Sequence, residues 1–178
     1  MMTKQDMVDI AYQQVALQGG PATHPIKTGC FYRVGTDSTY PTTTFTGRCC
    51  LVGALIPDAL YDPSMEGGSI HTLLSENPDV IPEADDDSTL EQFLNKLQYI
   101  HDSTSARLVL QARDAWNQQP ETDEFIELTI EEQRATQVKF HEDYITEHFW
   151  PLFNDKFSQF VESEGLEFPS TNTARSGE

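Results

Sequence analysis

Apolar residues recur at helical spacing in several parts of the chain, and capping signals precede three of these stretches. Thr3 is followed by Asp6 in the order of a capping box, and similar starts occur at Ser88 and Thr129. Pro151, next to Trp150, should break or kink the last stretch because a proline lacks the helical N–H donor. The patterns predict helices over 3–18, 88–102, 106–118, 129–150 and 152–165.

Two short stretches have strand composition instead. Residues 29–34 and 42–49 are rich in aromatic or β-branched side chains, and a turn-rich stretch separates them. This order favours an antiparallel β-hairpin near residues 29–49. We therefore predict an α+β fold, mostly helical, with a single acidic domain over 1–169 and a flexible C-terminal tail over 170–178.

Charge is distributed unevenly along the sequence. The chain has 29 acidic residues against 11 Lys and Arg, a net charge of −18, and residues 51–178 hold all but three of the acids. Such a field repels nucleic acid and anionic membranes, and it accelerates encounters with basic partners. The charge therefore predicts no direct nucleic-acid partner and no membrane partner. A simpler interpretation is that the charge only maintains solubility.

The cysteines and the N-terminus suggest a compartment. Cys30, Cys49 and Cys50 form an odd, small set, and the first residues lack the apolar core of a secretion signal. Both features predict a cytoplasmic protein, in the host cytoplasm if a phage encodes it. Cys30 and Cys49 with His24 or His71 could form a zinc site, but their spacing is poor, and buried free thiols are the commoner arrangement.

Known catalytic patterns are missing from the residue order. No phosphate-binding glycine loop, nucleophile elbow or His-Glu-x-x-His pattern occurs. His101-Asp102 could form a base and its orienting carboxylate, but neighbouring residues on a helix point apart, and a terminal His also suits the helix dipole. We therefore predict no catalytic residue, no metal and no cofactor.

A possible ligand site lies in the nearly neutral first third of the chain and just after it. Arginine forks grip phosphate or carboxylate groups, and tyrosine rings offer stacking surfaces. An alternative is that Arg33 or Arg48 pairs with Glu66 or Asp58 to fix a loop. The candidate ligand-binding residues are Tyr32, Arg33, Arg48, Asp58, Tyr61 and Glu66.

Several short motifs occur in a fixed order. They are Cys30-Phe31-Tyr32-Arg33, Cys50 to Asp58 with Tyr61, Met65-Glu66-Gly67, and Leu97 to Asp102. In this order the chain resembles a widespread set of small uncharacterised phage and prophage proteins. The resemblance spans about residues 5–102 and implies a phage accessory product without an assigned reaction. The chain departs from it in a longer loop at 35–47 and an enlarged acidic section at about 104–150.

These observations favour stoichiometric binding over catalysis. The first hypothesis is a phage counter-defence inhibitor whose acidic surface imitates nucleic acid and occupies a host defence protein. The alternative is a sponge for a nucleotide immune signal, held by Tyr32, Arg33 and Arg48. A third hypothesis is a hydrolase with His101 or Glu66 as base. The sequence leaves a homo-oligomer open.

Overall fold

A computed structural model describes residues 2–22, 32, 48–81 and 88–169. Within these ranges the chain forms five α-helices and two short 3-10 helices. The 3-10 helices span Gly53–Leu55 and Pro63–Met65. The α-helices are α1 (Lys4–Leu17), α2 (Ile70–Glu76), α3 (Ser88–Asn117), α4 (Asp123–Ile126) and α5 (Ile130–Ser163). None of the helices in these ranges has the length and apolar character that a membrane span requires.

The two long helices, α3 and α5, run antiparallel and make the most extensive helix–helix interface in the described structure. Near one end Lys96 of α3 binds Glu164, the residue that follows α5, with 2.6 Å between Nζ and Oε1. Near the other end the rings of Trp116 and Phe140 lie 5.4 Å apart. The short connection between the helices contains α4, as expected for neighbouring antiparallel helices.

Aromatic side chains on α5 form the centre of the core. Phe149, Phe153 and Phe157 recur every fourth residue, so they share one face of the helix, and all three are buried. Tyr12 of α1 packs on this face, with its ring centroid 4.9 Å from that of Phe157. Its hydroxyl donates to Asn154 Oδ1 at 2.9 Å, which satisfies the buried ring's polar end. The core therefore joins α1 to α5.

Predicted helix starts are confirmed. Thr3 and Asp6 form a capping box, and Thr129 forms another with Glu132. The helix predicted from Ser88 begins at that residue. In both boxes the threonine hydroxyl and the acidic side chain satisfy backbone N–H groups that lack partners within the helix.

The α+β fold class predicted from the sequence is wrong. Helices make up 69% of the described residues, and these residues contain no strand or sheet. Residues 29–31 and 33–47 of the predicted hairpin lie outside the described ranges, and Cys50 N–H donates one backbone hydrogen bond to Tyr32. At Cys49, the Gln18 side chain accepts from the backbone N–H at 2.9 Å and donates to the carbonyl. The Gln18 side chain thus forms the hydrogen bonds with the Cys49 backbone that a neighbouring strand would otherwise form.

Two predicted helix boundaries are also wrong. The stretches 88–102 and 106–118 belong to the single 30-residue helix α3. Pro151 does not end the last helix, because α5 continues through it to Ser163. Pro151 and Glu147, four residues earlier, are both exposed, so water can bind the carbonyl that the proline leaves without a donor.

The aromatic face of α5 should dominate the free energy of unfolding. Phe157→Ala removes a fully buried ring that contacts Tyr12, so we expect a loss of about 3–5 kcal/mol in urea unfolding. The control Ser158→Ala changes the next, exposed residue and should stay within about 0.5 kcal/mol. Equal midpoints for the two variants would contradict this description of the core.

Candidate functional site

A cavity of about 370 Å³ opens between the loop before α2 and the middle of α3. Its lining is mostly polar, in contrast to the aromatic core on the other side of α3. The walls are formed by Tyr32, residues 66–70, Asn95, Gln98, Tyr99 and Asp102.

Glu66 is held on one side of this cavity by two donors. Its Oε1 accepts from the Tyr61 hydroxyl at 2.8 Å, and its Oε2 accepts from the backbone N–H of Tyr32 at 2.9 Å. The turn that follows needs Gly67, whose φ of 79° lies in the left-handed region that favours glycine. The Glu66 carboxylate therefore has a fixed position before any ligand binds.

Tyr32 is fixed by close backbone packing. A Cβ at Gly53 would overlap the carbonyl oxygen of Tyr32, so only glycine fits under this residue. The Tyr32 hydroxyl donates to the Gly68 carbonyl at 3.3 Å. Burial raises the pKa of this hydroxyl, and the nearby Cys50, Glu66 and Asp102 raise it further. Tyr32 therefore remains protonated and acts as a donor in the cavity wall.

Asp102 is positioned by its neighbours on α3. Its Oδ1 accepts from Gln98 Nε2 at 2.6 Å, and His101 Nδ1 lies 3.4 Å from the same oxygen. His101 Nε2 accepts from the backbone N–H of Ala22 at 3.2 Å, so the ring proton of neutral His101 lies on Nδ1. The prediction that His101 and Asp102 point apart is wrong, because the two side chains are in contact.

The contacts of His101 indicate a structural role. The side chain is fully buried, and its ring lies 5.8 Å from that of Phe149 in an edge-on arrangement. Each ring nitrogen has a polar partner, one on α3 and one in the chain after α1. His101 therefore fastens Ala22 to α3, and its ring does not line the cavity.

The structure brings together three of the six candidate ligand residues. Tyr32, Tyr61 and Glu66 meet at the cavity, where Tyr32 and Glu66 line the wall and Tyr61 supports it. Asp58 is exposed and does not line the cavity. Arg33 lies outside the described residues.

Arg48 lies elsewhere, between the end of α1 and the middle of α5. A Cβ at Gly20 would lie 2.6 Å from its Nη1, so the missing side chain there leaves room for the guanidinium. Burial lowers the pKa of Arg48, and the charge of the buried Glu142 raises it. Arg48 does not line the cavity, so the predicted grouping of Tyr32 with this arginine does not occur there.

The two described cysteines are buried thiols. Burial raises the pKa of Cys50, whose Sγ accepts from the Gly53 N–H at 3.3 Å. Cys49 Sγ lies 3.5 Å from Gln18 Oε1. Within the described part of the chain no three His, Cys, Asp or Glu side chains form a group that could hold a metal. Cys30 and His24 of the alternative zinc site lie outside that part.

Residues 113–147 form a second feature, which we call the acidic arm. It comprises the end of α3, α4 and the first half of α5. Trp116 ties the arm together, because its ring lies 5.5 Å from Phe125 and 5.4 Å from Phe140. From Arg113 to Gln137 every residue of the arm is exposed or partly exposed. The arm is therefore mostly surface.

The arm carries a concentrated negative charge. It holds ten acidic residues and three basic ones, a formal charge of −7. Nine of the ten carboxylates are exposed, and the tenth is the buried Glu142. One basic residue, Lys139, is partly neutralised by Asp143, with 2.8 Å between Nζ and Oδ2. The exposed carboxylates are Asp114, Glu121, Asp123, Glu124, Glu127, Glu131, Glu132, Asp143 and Glu147.

A groove of about 510 Å³ lies near the end of the arm. Trp116, Phe125 and Leu128 supply apolar walls, and Glu121 and Glu124 supply carboxylates. A long cationic side chain combines an apolar stem with a charged end, and such a groove complements both parts. The arm therefore offers a lysine- or arginine-sized recess within its acidic surface.

No protein-family model, curated protein or solved structure matches this chain.

The α3 wall of the cavity was not predicted from the sequence, although a signal for it exists. Asn95, Gln98, Tyr99 and Asp102 are spaced three, one and three residues apart, which places them along one side of a helix. This polar stripe runs beside the apolar stripe that predicted the helix. A polar stripe on a surface helix is common, and this stripe forms a cavity wall only because the loop that contains Glu66 lies opposite it.

The fastening role of His101 gives a stability prediction. His101→Phe fills the space but leaves the Ala22 N–H and the Asp102 carboxylate without this partner, so unfolding should lose about 1–3 kcal/mol. His71→Phe is the matched control, because the His71 side chain is 75% exposed, and it should change stability by less than about 0.5 kcal/mol. Comparable urea midpoints for the two variants would rule out the fastening role.

Proposed function

We propose that this protein acts by stoichiometric binding, and that its acidic arm occupies a basic groove on a partner protein. The observation that carries the proposal is the concentration of nine exposed carboxylates on the acidic arm, residues 113–147, against three basic residues. Positive potential on a partner groove is what binds nucleic-acid phosphates. A surface of this charge therefore competes for the same groove.

The dimensions of the arm fit this mode of binding. Its part of α5, residues 130–147, extends about 27 Å at the usual helical rise. A DNA duplex of that length carries roughly 16 phosphates. The arm has about half as many exposed carboxylates, so it reproduces the sign of the duplex charge at lower density. Fields are screened over about 8 Å at physiological salt, so the carboxylates must lie close to the basic groups that they attract.

The groove at the end of the arm adds specificity to this attraction. A partner arginine or lysine can place its stem against Trp116 and Phe125 and its charge beside Glu121 or Glu124. Such a contact raises the affinity for a partner whose basic side chains are arranged to reach this groove. It explains how the arm could prefer one basic protein among many.

The biological setting that we propose follows from the resemblance to phage and prophage proteins. In an infected bacterium the partner would be a host defence protein that binds nucleic acid, and the arm would block its groove. Of the three residues of the nucleotide-sponge alternative, Tyr32 lines the cavity, Arg48 does not, and Arg33 lies outside the described ranges. The hydrolase alternative receives no support from His101, whose two ring nitrogens are both engaged.

Neutralising the arm should weaken binding. The variant E121Q/E124Q/E127Q/E131Q removes four exposed charges near the end of the arm, and affinity for the partner should fall about tenfold or more. Binding of the wild-type protein should also weaken steeply from 50 to 200 mM NaCl, and duplex DNA should compete. The partner for this test is a DNA-binding defence protein from a host in which this protein restores phage plating. Isothermal titration against it measures the affinity, its salt dependence and the competition by DNA.

The matched control is E76Q/D79N/D155N/E162Q, which removes four exposed carboxylates outside the arm. It should bind within about threefold of the wild type and restore plating equally, since net charge alone is not the proposed cause. Equal losses in the two variants, or binding that ignores salt and DNA, would remove the arm from the mechanism. Failure to restore plating on every defence-bearing host would remove the counter-defence setting.

A further inference from the structure

We propose that two exposed isoleucines near the end of the acidic arm, Ile126 and Ile130, bind an apolar pocket on a basic partner protein. The proposal rests on the proposed function of the arm and adds the kind of partner that the arm fits. Such a partner carries aliphatic or aromatic side chains among the lysines and arginines of its groove. We call residues 123–132 of the arm the arm tip.

Both isoleucines are large apolar side chains that the fold leaves in water. Ile126 is 58% exposed and Ile130 is 69% exposed. Isolated apolar residues are common on protein surfaces, whereas these two are separated only by the turn between α4 and α5. In the same short segment Phe125 and Leu128 line the groove of the arm. The arm tip therefore presents apolar side chains together with its carboxylates.

Hydrogen bonds hold the turn between the isoleucines before any partner binds. Gln133 Nε2 donates to the carbonyl of Phe125 at 3.1 Å and to that of Leu128 at 3.3 Å. The Leu128 N–H also donates to the Phe125 carbonyl, and the capping box at Thr129 fixes the start of α5. A backbone fixed in this way loses little conformational entropy on binding.

The charges around the isoleucines determine which occupant fits. The arm tip carries five exposed carboxylates and no Lys or Arg. A second copy of this chain would bring the same negative charge, so two arm tips would repel each other. A basic partner is attracted instead, and an apolar centre within a polar rim is the usual anatomy of a protein interface. The carboxylates are those of Asp123, Glu124, Glu127, Glu131 and Glu132.

An apolar contact also compensates for the low charge density of the arm. The arm has about half as many exposed carboxylates as a duplex of its length has phosphates. Charge alone therefore gives the arm no advantage over DNA in a shared groove. Burial of one isoleucine in an apolar pocket raises the affinity about tenfold or more. The nucleic-acid backbone has no side chain of this kind, so the contact favours the arm over DNA.

The test is isothermal titration of the full chain in 150 mM NaCl with two synthetic peptides. One peptide alternates pairs of lysines with pairs of leucines, and the other carries serine in place of every leucine. The two peptides have the same charge, so the ratio of their affinities measures the apolar contact. We expect the leucine peptide to bind about tenfold or more tighter than the serine peptide. A ratio below about twofold would overturn the proposal.

Variants locate the apolar contact on the arm tip. The double variant Ile126→Ala and Ile130→Ala should lower the affinity ratio to about threefold or less, because alanine removes most of the apolar surface. The matched control is Leu17→Ala with Leu60→Ala, since these leucines are 73% and 42% exposed and lie outside the arm. The control should keep the wild-type ratio. Equal losses in the two double variants would mean that the leucine peptide binds exposed apolar surface in general, and the proposal would fall.

Melting curves establish whether each variant is folded. If the alanine variant is not, the double variant Ile126→Thr and Ile130→Thr replaces it, and an unchanged affinity ratio there would also overturn the proposal. The variant E121Q/E124Q/E127Q/E131Q should weaken the binding of both peptides and leave their ratio unchanged. Wild-type affinity of that variant for both peptides would count against the arm's charge, whereas a missing preference for leucine removes only the apolar contact. The two failures are therefore distinguishable.

Discussion

The aromatic face of α5 packs against α1 and α3 at the same time, and the remaining features of the structure depend on this contact. Tyr12 from the start of the chain and Phe93 from α3 both reach it, at 4.9 Å from Phe157 and 5.4 Å from Phe160. Because one helix provides the common surface, the described residues 48–81 between α1 and α3 need only short helices and turns. The loop that contains Glu66 lies among these short elements. The same helix extends beyond the core and provides half of the acidic arm.

Regular elements could be predicted where local chemistry decides them. The capping boxes at Thr3 and Thr129 depend on residues three positions apart, so the sequence contains the whole interaction. The predicted breaks between 102 and 106 and at Pro151 are wrong, because whether a helix is interrupted depends on the residues packed around it. Pro151 is tolerated because it faces water, and exposure is a property of the packed helix.

The fold class failed for a related reason. The residues near Cys49 have side chains that suit a pleated, half-buried surface. A strand also needs the backbone of a neighbouring strand for its hydrogen bonds. Gln18, 31 residues earlier, supplies hydrogen bonds to Cys49 instead. The candidate site was predicted in part for the same reason. Tyr61 and Glu66 are close in the sequence, whereas the approach of Asp102 to Tyr32 depends on how α3 is placed.

The arm, which Trp116 holds together, tolerates substitution differently from the core. The core depends on close packing among many aromatic rings, so substitutions there affect the whole fold. The arm depends on the contacts of Trp116 with two rings, and most of its other positions face solvent. Its surface can therefore diversify quickly while the scaffold stays fixed. Under the proposed binding function, a lineage in conflict with changing opponents can alter the partner of the arm without evolving a new fold.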